Sequence, residues 1–148
     1  MIRLAICDDD VQAVAAHRTL AEQALAGGGY GVTVETYTNS ESLLADICED
    51  GRVYDLILLD IEMPGLDGMA LVERIAPFLP QVRVIFITSH REYAIDAYAL
   101  NIFRYVPKDE LEKRLPQAIL DAAKLVALED GKSYTIQTAH RLEKLPLR

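Results

Sequence analysis

The chain has 148 residues and a formal net charge of −8, with 23 acidic and 15 basic side chains. The Lys and Arg residues form no cluster, which argues against direct binding to nucleic acid or to an anionic membrane surface. Hydrophobic residues make up 51% of the sequence, enough for one complete core, and no apolar stretch is long enough to span a bilayer. A strand-like pattern begins at residue 2 without a leader, and Cys7 and Cys48 form no disulfide framework or metal motif. We therefore expect a cytoplasmic protein.

Strand-like and helix-like segments alternate along the chain. The strand-like segments are short and apolar, whereas the helix-like ones are longer and rich in Ala, Leu and charged residues. The glycines at 27–29 end the first helix, Asn39 or Ser40 is placed to cap the second, and Asp67 is placed to cap the third. The predicted strands are 2–7, 32–37, 56–59, 82–88 and 102–106. The predicted helices are 11–26, 40 to about 51, 68–75, 91–100 and a last one with Pro116 in its first turn.

Five strand–helix repeats predict an α/β fold, because a chain that alternates in this way forms a parallel sheet. We expect a flavodoxin-like, doubly wound five-stranded sheet with the strand order 2-1-3-4-5 and helices on both faces. The second strand alternates polar and apolar residues, as a strand at the edge does. The residues expected on the inward stripe of the last helix are Leu115, Ala118, Ile119, Ala122, Leu125 and Val126.

Acidic residues follow the first and third predicted strands, at the carboxyl edge where open α/β sheets have their sites. Asp8 and Asp9 follow the first strand, and Asp60 ends the apolar third one, where an acid is unusual unless it is paired or functional. Clustered carboxylates either raise a pKa or bind a hard cation, and we predict Mg²⁺. Asp9 and Asp60 are predicted as direct ligands, Asp8 through water, and Glu62 through its main-chain carbonyl. The alternative that the acids at 8–10 only cap the next helix stays open.

An aspartate at this position can act as a nucleophile toward phosphorus. Phosphoryl transfer depends mainly on charge neutralisation, which Lys108 supplies just after the fifth strand, and Thr88 adds a hydroxyl donor at the end of the fourth. Taken singly, Thr88 is an ordinary residue for a strand end and Lys108 an ordinary solvated lysine. The prediction of a phosphoryl site depends on their joint occurrence with the acids, each at the end of a different strand.

These motifs resemble, in order, those of the receiver domain of two-component response regulators. The matching blocks are CDDD at 7–10, LLDIEMPGLDG at 58–68, FITS at 86–89 and RYVPK at 104–108. The resemblance implies that Asp60 is the phospho-acceptor and that Asp8 and Asp9 hold Mg²⁺. It also implies that Thr88 and Lys108 contact the phosphoryl group and that Tyr105 is the switch aromatic.

The family resemblance also implies partners and a way of working. A sensor histidine kinase donates the phosphoryl group, and the protein is a regulatory phospho-acceptor with slow autodephosphorylation rather than an enzyme. Phosphorylation is expected to move Thr88, to let Tyr105 turn inward and to favour a homodimer through the fourth helix, fifth strand and fifth helix.

A more particular resemblance concerns the output. Residues 88–98 with 101–105 resemble the receivers of regulators that carry a LytTR DNA-binding domain. We therefore expect a receiver domain over 1–127, and over 128–148 a linker and the truncated start of a LytTR-like domain, with short strands at 133–138 and 140–145. DNA binding is expected only through that domain, most of which this chain lacks.

One position departs from the family pattern. Receivers usually have Pro directly after the lysine, whereas Asp109 follows Lys108 here and is expected to pair with it, weakening its hold on phosphate.

Glu62 and His90 each lie two residues past a site residue, and we expect them to orient or block the water that hydrolyses the phosphoryl group.

Three other function classes stay open on sequence grounds. The first is an aspartyl-nucleophile phosphatase, although Met63-Pro64 stands where such enzymes have other residues and no cap domain is present. The second is a flavin-binding module, although the loop after the first strand is acidic. The third is a stand-alone receiver that acts only through protein contacts.

Overall fold

The computed structural model describes the backbone of residues 1–142 and the side chains of residues 1–130. The chain forms a five-stranded parallel sheet in the order β2-β1-β3-β4-β5 with helices on both faces, so the predicted α/β fold is confirmed. The strands are β1 (Ile2–Cys7), β2 (Val32–Tyr37), β3 (Leu56–Leu59), β4 (Arg83–Thr88) and β5 (Arg104–Pro107). The helices are α1 (Val11–Gly27), α2 (Ser40–Cys48), α3 (Gly68–Ile75), α4 (Ala94–Ala99) and α5 (Leu111–Leu142), with short 3-10 turns at Arg91–Tyr93 and Lys108–Glu110.

The sheet separates two apolar layers. All four residues of β3 are fully buried, as the continuous apolar run predicts for a central strand covered on both sides. Leu43 of α2 and Leu71 of α3 belong to the layer on one face. Leu25 of α1 and Ile119 of α5 belong to the layer on the other. Burying each such side chain stabilises the fold by roughly 1.5–3 kcal/mol, so the sheet is a rigid frame for its carboxyl edge.

Strand register brings the predicted site residues to one place. Cys7 of β1 pairs with Leu59 of β3, so Asp8 and Asp60 follow at adjoining positions. Thr88 ends β4 beside the last residue of β5. The predicted convergence at the carboxyl edge therefore follows from the parallel pairing of strands that end level with one another.

Acidic and amide side chains begin three of the helices. Asp10, Asn39 and Asp67 each accept a main-chain N–H from the first turn of α1, α2 and α3, at 2.9, 2.8 and 2.9 Å. Asn39 is therefore the cap of α2, with Ser40 as its first residue. Capping accounts for Asp10, but it leaves Asp8 and Asp9 for another role.

The last helix differs from its prediction in two respects. It begins at Leu111, so Pro116 lies inside the helix instead of in its first turn. Leu125, predicted on the inward stripe, is 37% exposed, whereas Ala123 is fully buried. Because α5 packs against α1, this contact turns the small side chain inward and leaves the leucine at the margin.

The backbone of α5 continues to Leu142. Residues 133–138 are therefore helical, and the strand predicted there is wrong. The second predicted strand, 140–145, begins inside the helix and ends outside the described residues. The division into a receiver over 1–127 and a further domain start over 128–148 stays a prediction.

Among the described residues, no helix has both the length and the apolar character that a membrane span requires.

Candidate functional site

Three carboxylates meet at the carboxyl edge of the sheet. Oxygen atoms of Asp8, Asp9 and Asp60 all lie within 4.8 Å of one another. Asp8 is 1% exposed and Asp60 is 7% exposed, whereas Asp9 faces solvent. Such a set of oxygen donors, open on one side, fits a hard divalent cation that keeps several of its waters. The side chains predicted to hold Mg²⁺ are therefore together.

Lys108 supplies the positive charge of this cluster. Its Nζ lies 2.9 Å from Asp8 Oδ2 and 3.2 Å from Asp60 Oδ2. Burial raises the pKa of Asp60 above its ordinary value; the Lys108 ammonium opposes this shift and the charge of Asp8 adds to it. Burial alone lowers the pKa of Lys108, but the hydrogen bonds and charges of the two acids outweigh it and raise that pKa. Lys108 is thus held as a cation beside Asp60.

Thr88 and Tyr105 both contact the main chain of His90. Thr88 is fully buried at the end of β4, and its Oγ1 accepts the His90 N–H at 3.3 Å. The Tyr105 hydroxyl donates to the His90 carbonyl. Tyr105 is half-buried against the apolar layer that includes α4, and burial raises the pKa of its hydroxyl. The two residues predicted to act as the switch are therefore linked through one residue.

Glu62 and His90 contact each other across the site. His90 Nε2 lies 2.7 Å from Glu62 Oε1, and the other ring nitrogen lies 3.2 Å from Glu92 Oε2. This contact joins the β3–α3 loop, residues 60–67, to the segment that follows β4. The main-chain N–H of Glu62 faces the Asp60 carboxylate. Its carbonyl as a metal ligand stays a prediction.

Asp109 does not pair with Lys108. Its carboxylate contacts Arg91 instead, at 2.9 Å, and the same guanidinium contacts Glu110 at 3.0 Å. The expected competition between Asp109 and the acids of the site is therefore absent from this arrangement. Every peptide bond in the described residues is trans, including the one after Lys108.

A family model for the response regulator receiver domain matches residues 4–120 of the chain. The chain belongs to this receiver domain family. It is 37% identical to the DNA-binding transcriptional regulator NtrC of Salmonella typhimurium over 105 residues, which are 70% of this chain and 21% of that protein. It is 39% identical to the transcriptional regulatory protein YpdB of Escherichia coli over 61 residues, 41% of this chain and 25% of that protein. The chain thus spans about a fifth to a quarter of these relatives.

The fold of this receiver is also found in a solved structure. The response regulatory domain of mrkE from Klebsiella pneumoniae superposes with a TM-score of 0.74 and 23% identity, covering 84% of this chain and 97% of that one. A likeness at this identity supports the fold alone. The acidic cluster of Asp8, Asp9 and Asp60 is typical of a receiver's phospho-acceptor site. Family membership places this chain among the receiver domains of two-component signalling and disfavours the phosphatase and flavin alternatives.

Several residues that shape the β3–α3 loop escaped the sequence analysis. Glu41 Oε2 accepts the Leu66 N–H at 3.1 Å, and Ser40 Oγ lies 3.8 Å from Met63 Sδ. A side chain at Gly68 would collide with the main chain of Asp60, so glycine lets α3 begin directly against the acceptor. Gly68 could have been recognised from the sequence, because a glycine at the start of a helix suggests a close approach of main chain. The contacts from α2 could not, because they join residues about 25 positions apart in the chain.

Proposed function

We propose that this receiver takes a phosphoryl group onto Asp60 from the phosphohistidine of a sensor kinase, in a Mg²⁺-dependent reaction. The observation that carries the proposal is the position of the Asp60 carboxylate between two further acids and the Lys108 ammonium. Carboxylates alone would repel a phosphoryl group. Together with Lys108 and a cation site, the cluster provides a carboxylate that attacks phosphorus and positive charge that neutralises the phosphoryl oxygens.

The transfer itself uses few groups. A carboxylate oxygen of Asp60 forms a bond to phosphorus while the P–N bond of phosphohistidine breaks, and the electron pair returns to the imidazole nitrogen. Lys108, 3.2 Å from Asp60 Oδ2, neutralises an oxygen of the incoming group. Asp8, Asp9, Asp60 and the Glu62 carbonyl would hold Mg²⁺. When bound, Mg²⁺ supplies positive charge to the phosphoryl oxygens and the crowded carboxylates.

We infer that the signal leaves the site through His90. The Thr88 hydroxyl accepts the His90 N–H here, and in the phosphorylated protein it donates to a phosphoryl oxygen instead. Movement of Thr88 shifts the segment whose carbonyl the Tyr105 hydroxyl contacts. Tyr105 is half-buried here against the apolar layer that includes α4, and phosphorylation would act by favouring this position over an outward one. The affected surface is formed by α4, β5 and α5, through which a homodimer would form.

The Glu62–His90 contact is the proposed regulator of signal lifetime. The pair joins the β3–α3 loop, which begins at Asp60, to the segment that follows β4, at 2.7 Å and with both side chains partly open to solvent. A bridge in this position restricts the approach of water to the phosphorylated carboxylate. Hydrolysis of the acyl phosphate would then depend on how often the bridge opens.

The proposed output is LytTR-type DNA binding and transcription control by a domain that follows residue 127. The relatives NtrC and YpdB, both named as transcriptional regulators, support an output of this general kind. The alternative is a receiver that acts through protein contacts alone. DNA contact by the described residues is disfavoured because the chain carries a net charge of −8.

Intact-mass measurement with acetyl phosphate tests the acceptor. The wild-type chain should gain one phosphoryl group with Mg²⁺ and little without it. Asp60→Asn should abolish the gain, whereas Asp8→Asn should only reduce it, because Asp9 and Asp60 still hold the cation. Labelling that survives in Asp60→Asn, or a wild-type chain that is never labelled, would refute the proposal.

A further inference from the structure

The start of α2 holds the loop that follows the phospho-acceptor. Two adjacent residues make the contacts: Ser40 Oγ lies 3.8 Å from Met63 Sδ, and Glu41 Oε2 accepts the Leu66 N–H at 3.1 Å. Both contacts cross from one loop–helix junction to another. They fix the β3–α3 loop near its middle and near its end.

Helix α2 is a firm support for this loop. Its cap residue Asn39 accepts the Ser42 N–H at 2.8 Å, and Ser40, Leu43 and Ile47 are at most 2% exposed. A helix with a capped start and a buried face keeps its first turn in place. The hydrogen bond that Glu41 of this turn accepts from the loop therefore fixes the loop relative to the core.

The stretch of the β3–α3 loop between Glu62 and Leu66 is short. Only three residues separate Glu62 from Leu66, and one of them, Gly65, has a φ of +78° that sets a tight turn. A shift of the Leu66 N–H must therefore be absorbed within the three residues between it and Glu62. Glu62 is also the residue whose N–H faces the Asp60 carboxylate. Outer groups that orient ligands in this way commonly change metal affinity when they are altered.

We propose that Glu41 is a positioning residue of the phosphorylation site: through Leu66 it sets the place of Glu62, and with it the affinity of the acidic cluster for a divalent cation. This inference rests on the proposed function, in which Glu62 contributes its carbonyl to the cation. Glu41 contacts neither the cation nor the phosphoryl group. Its role is distinct from that of an acid that merely stabilises the first turn of a helix, which would affect folding but not cation affinity.

Two substitutions separate the hydrogen bond from the charge. Glu41→Gln removes the charge but keeps an oxygen that can accept the Leu66 N–H. Glu41→Asp keeps the charge and the acidic first turn but is one methylene too short to make the same contact. Glu112→Asp is the matched control, because Glu112 is also an acid in the first turn of a helix, α5.

The measurements use the full 148-residue chain. Calorimetric titration with MgCl₂ gives the cation affinity without any phosphodonor, and acetyl phosphate labelling at several Mg²⁺ concentrations gives the half-maximal value. Thermal melting shows that each variant is folded. Glu41→Asp should weaken Mg²⁺ binding by about tenfold and shift half-maximal labelling in step, while Glu41→Gln and Glu112→Asp stay close to wild type.

The opposite pattern would overturn the role of Glu41. Affinity lost in Glu41→Gln but kept in Glu41→Asp would assign the effect to charge, and an unchanged Glu41→Asp would leave the contact without a function. If Glu41→Asp does not fold, Glu41→Gln still decides: affinity lost in that variant contradicts a role for the hydrogen bond. A wild-type chain that binds Mg²⁺ but is never labelled would refute the proposed phospho-acceptor alone, because calorimetry would still compare the variants.

Discussion

The ammonium of Lys108 lies 2.9 Å from a carboxylate oxygen of Asp8, although Asp8 is 1% exposed and the two residues are 100 positions apart. A second contact, 3.2 Å to Asp60, means that one lysine serves two buried acids. Without that cation the two carboxylates would face each other in a partly dry site. Lys108 thus has a structural role in addition to its proposed contact with the phosphoryl group.

Replacing Lys108 by Met should reduce stability in the absence of Mg²⁺. The substitution leaves two buried acids unpaired, but the site lies at a partly open edge of the sheet. We therefore expect a loss of about 1–3 kcal/mol in the free energy of unfolding. Urea unfolding with and without MgCl₂ measures this, and Mg²⁺ should restore part of the loss by binding the folded state. Lys113→Met, on the exposed side of α5, is the control and should have little effect. Equal losses in both variants would contradict the pairing.

Asp55 at the opposite edge of the sheet should produce a pH-dependent contribution to stability. Burial acts to raise the pKa of Asp55, but hydrogen bonds from Arg3, at 2.8–3.0 Å, outweigh it and lower that pKa. An acid whose pKa is lowered by folding stabilises the protein above its ordinary pKa, 3.8, and loses that contribution as the pH falls through the folded value.

Asp55→Asn should therefore reduce the free energy of unfolding by about 1 kcal/mol at neutral pH, after allowance for solvent screening at Arg3. Below the folded pKa of Asp55 the difference from wild type should vanish. Urea unfolding from pH 7 down to the acid limit of folding measures it. Glu35→Gln is the control, since Glu35 makes only a 3.8 Å surface pair with Arg52. A difference that grows as the pH falls would reverse the assigned sign.

Topology and acid placement were predictable from the sequence for a simple reason. The apolar run of β3 is buried wherever it lies, and parallel pairing then brings Asp8, Asp60 and Thr88 to one edge. These conclusions need only periodicity and strand order. They do not depend on how any helix is rotated.

The contacts that depend on helix packing and on side-chain reach were not predictable. Adjacency in the chain suggested that Asp109 pairs with Lys108, but Arg91, 18 positions away, reaches Asp109 from the preceding turn. In the same way, the exposure of Leu125 follows from how α5 meets α1. A sequence gives the candidates for such pairs, while three-dimensional packing selects among them.

The contact between Arg91 and Asp109 should protect Lys108 from competition. Arg91→Gln frees the Asp109 carboxylate next to Lys108, and labelling by acetyl phosphate should slow by about two- to fivefold, the scale of an exposed ion pair. The double variant with Asp109→Asn should recover the wild-type rate, because the competing charge is then gone. Arg114→Gln also removes a partner of Glu110 but leaves Asp109 bound, and serves as the control. Failure of Asp109→Asn to restore the rate would contradict this explanation.

The bridge between Glu62 and His90 should control signal lifetime. If the 2.7 Å contact shields the phosphorylated Asp60 from water, Glu62→Ala and His90→Ala should each speed the loss of the phosphoryl group severalfold. The chain is labelled with acetyl phosphate, the donor is removed, and the decay is followed by intact mass. Glu73→Ala, an exposed acid on α3, should decay like wild type. Because the two residues act as one contact, the double variant should decay no faster than either single one. Slower decay would mean that the pair orients the attacking water, and additive effects would mean that the two residues act separately.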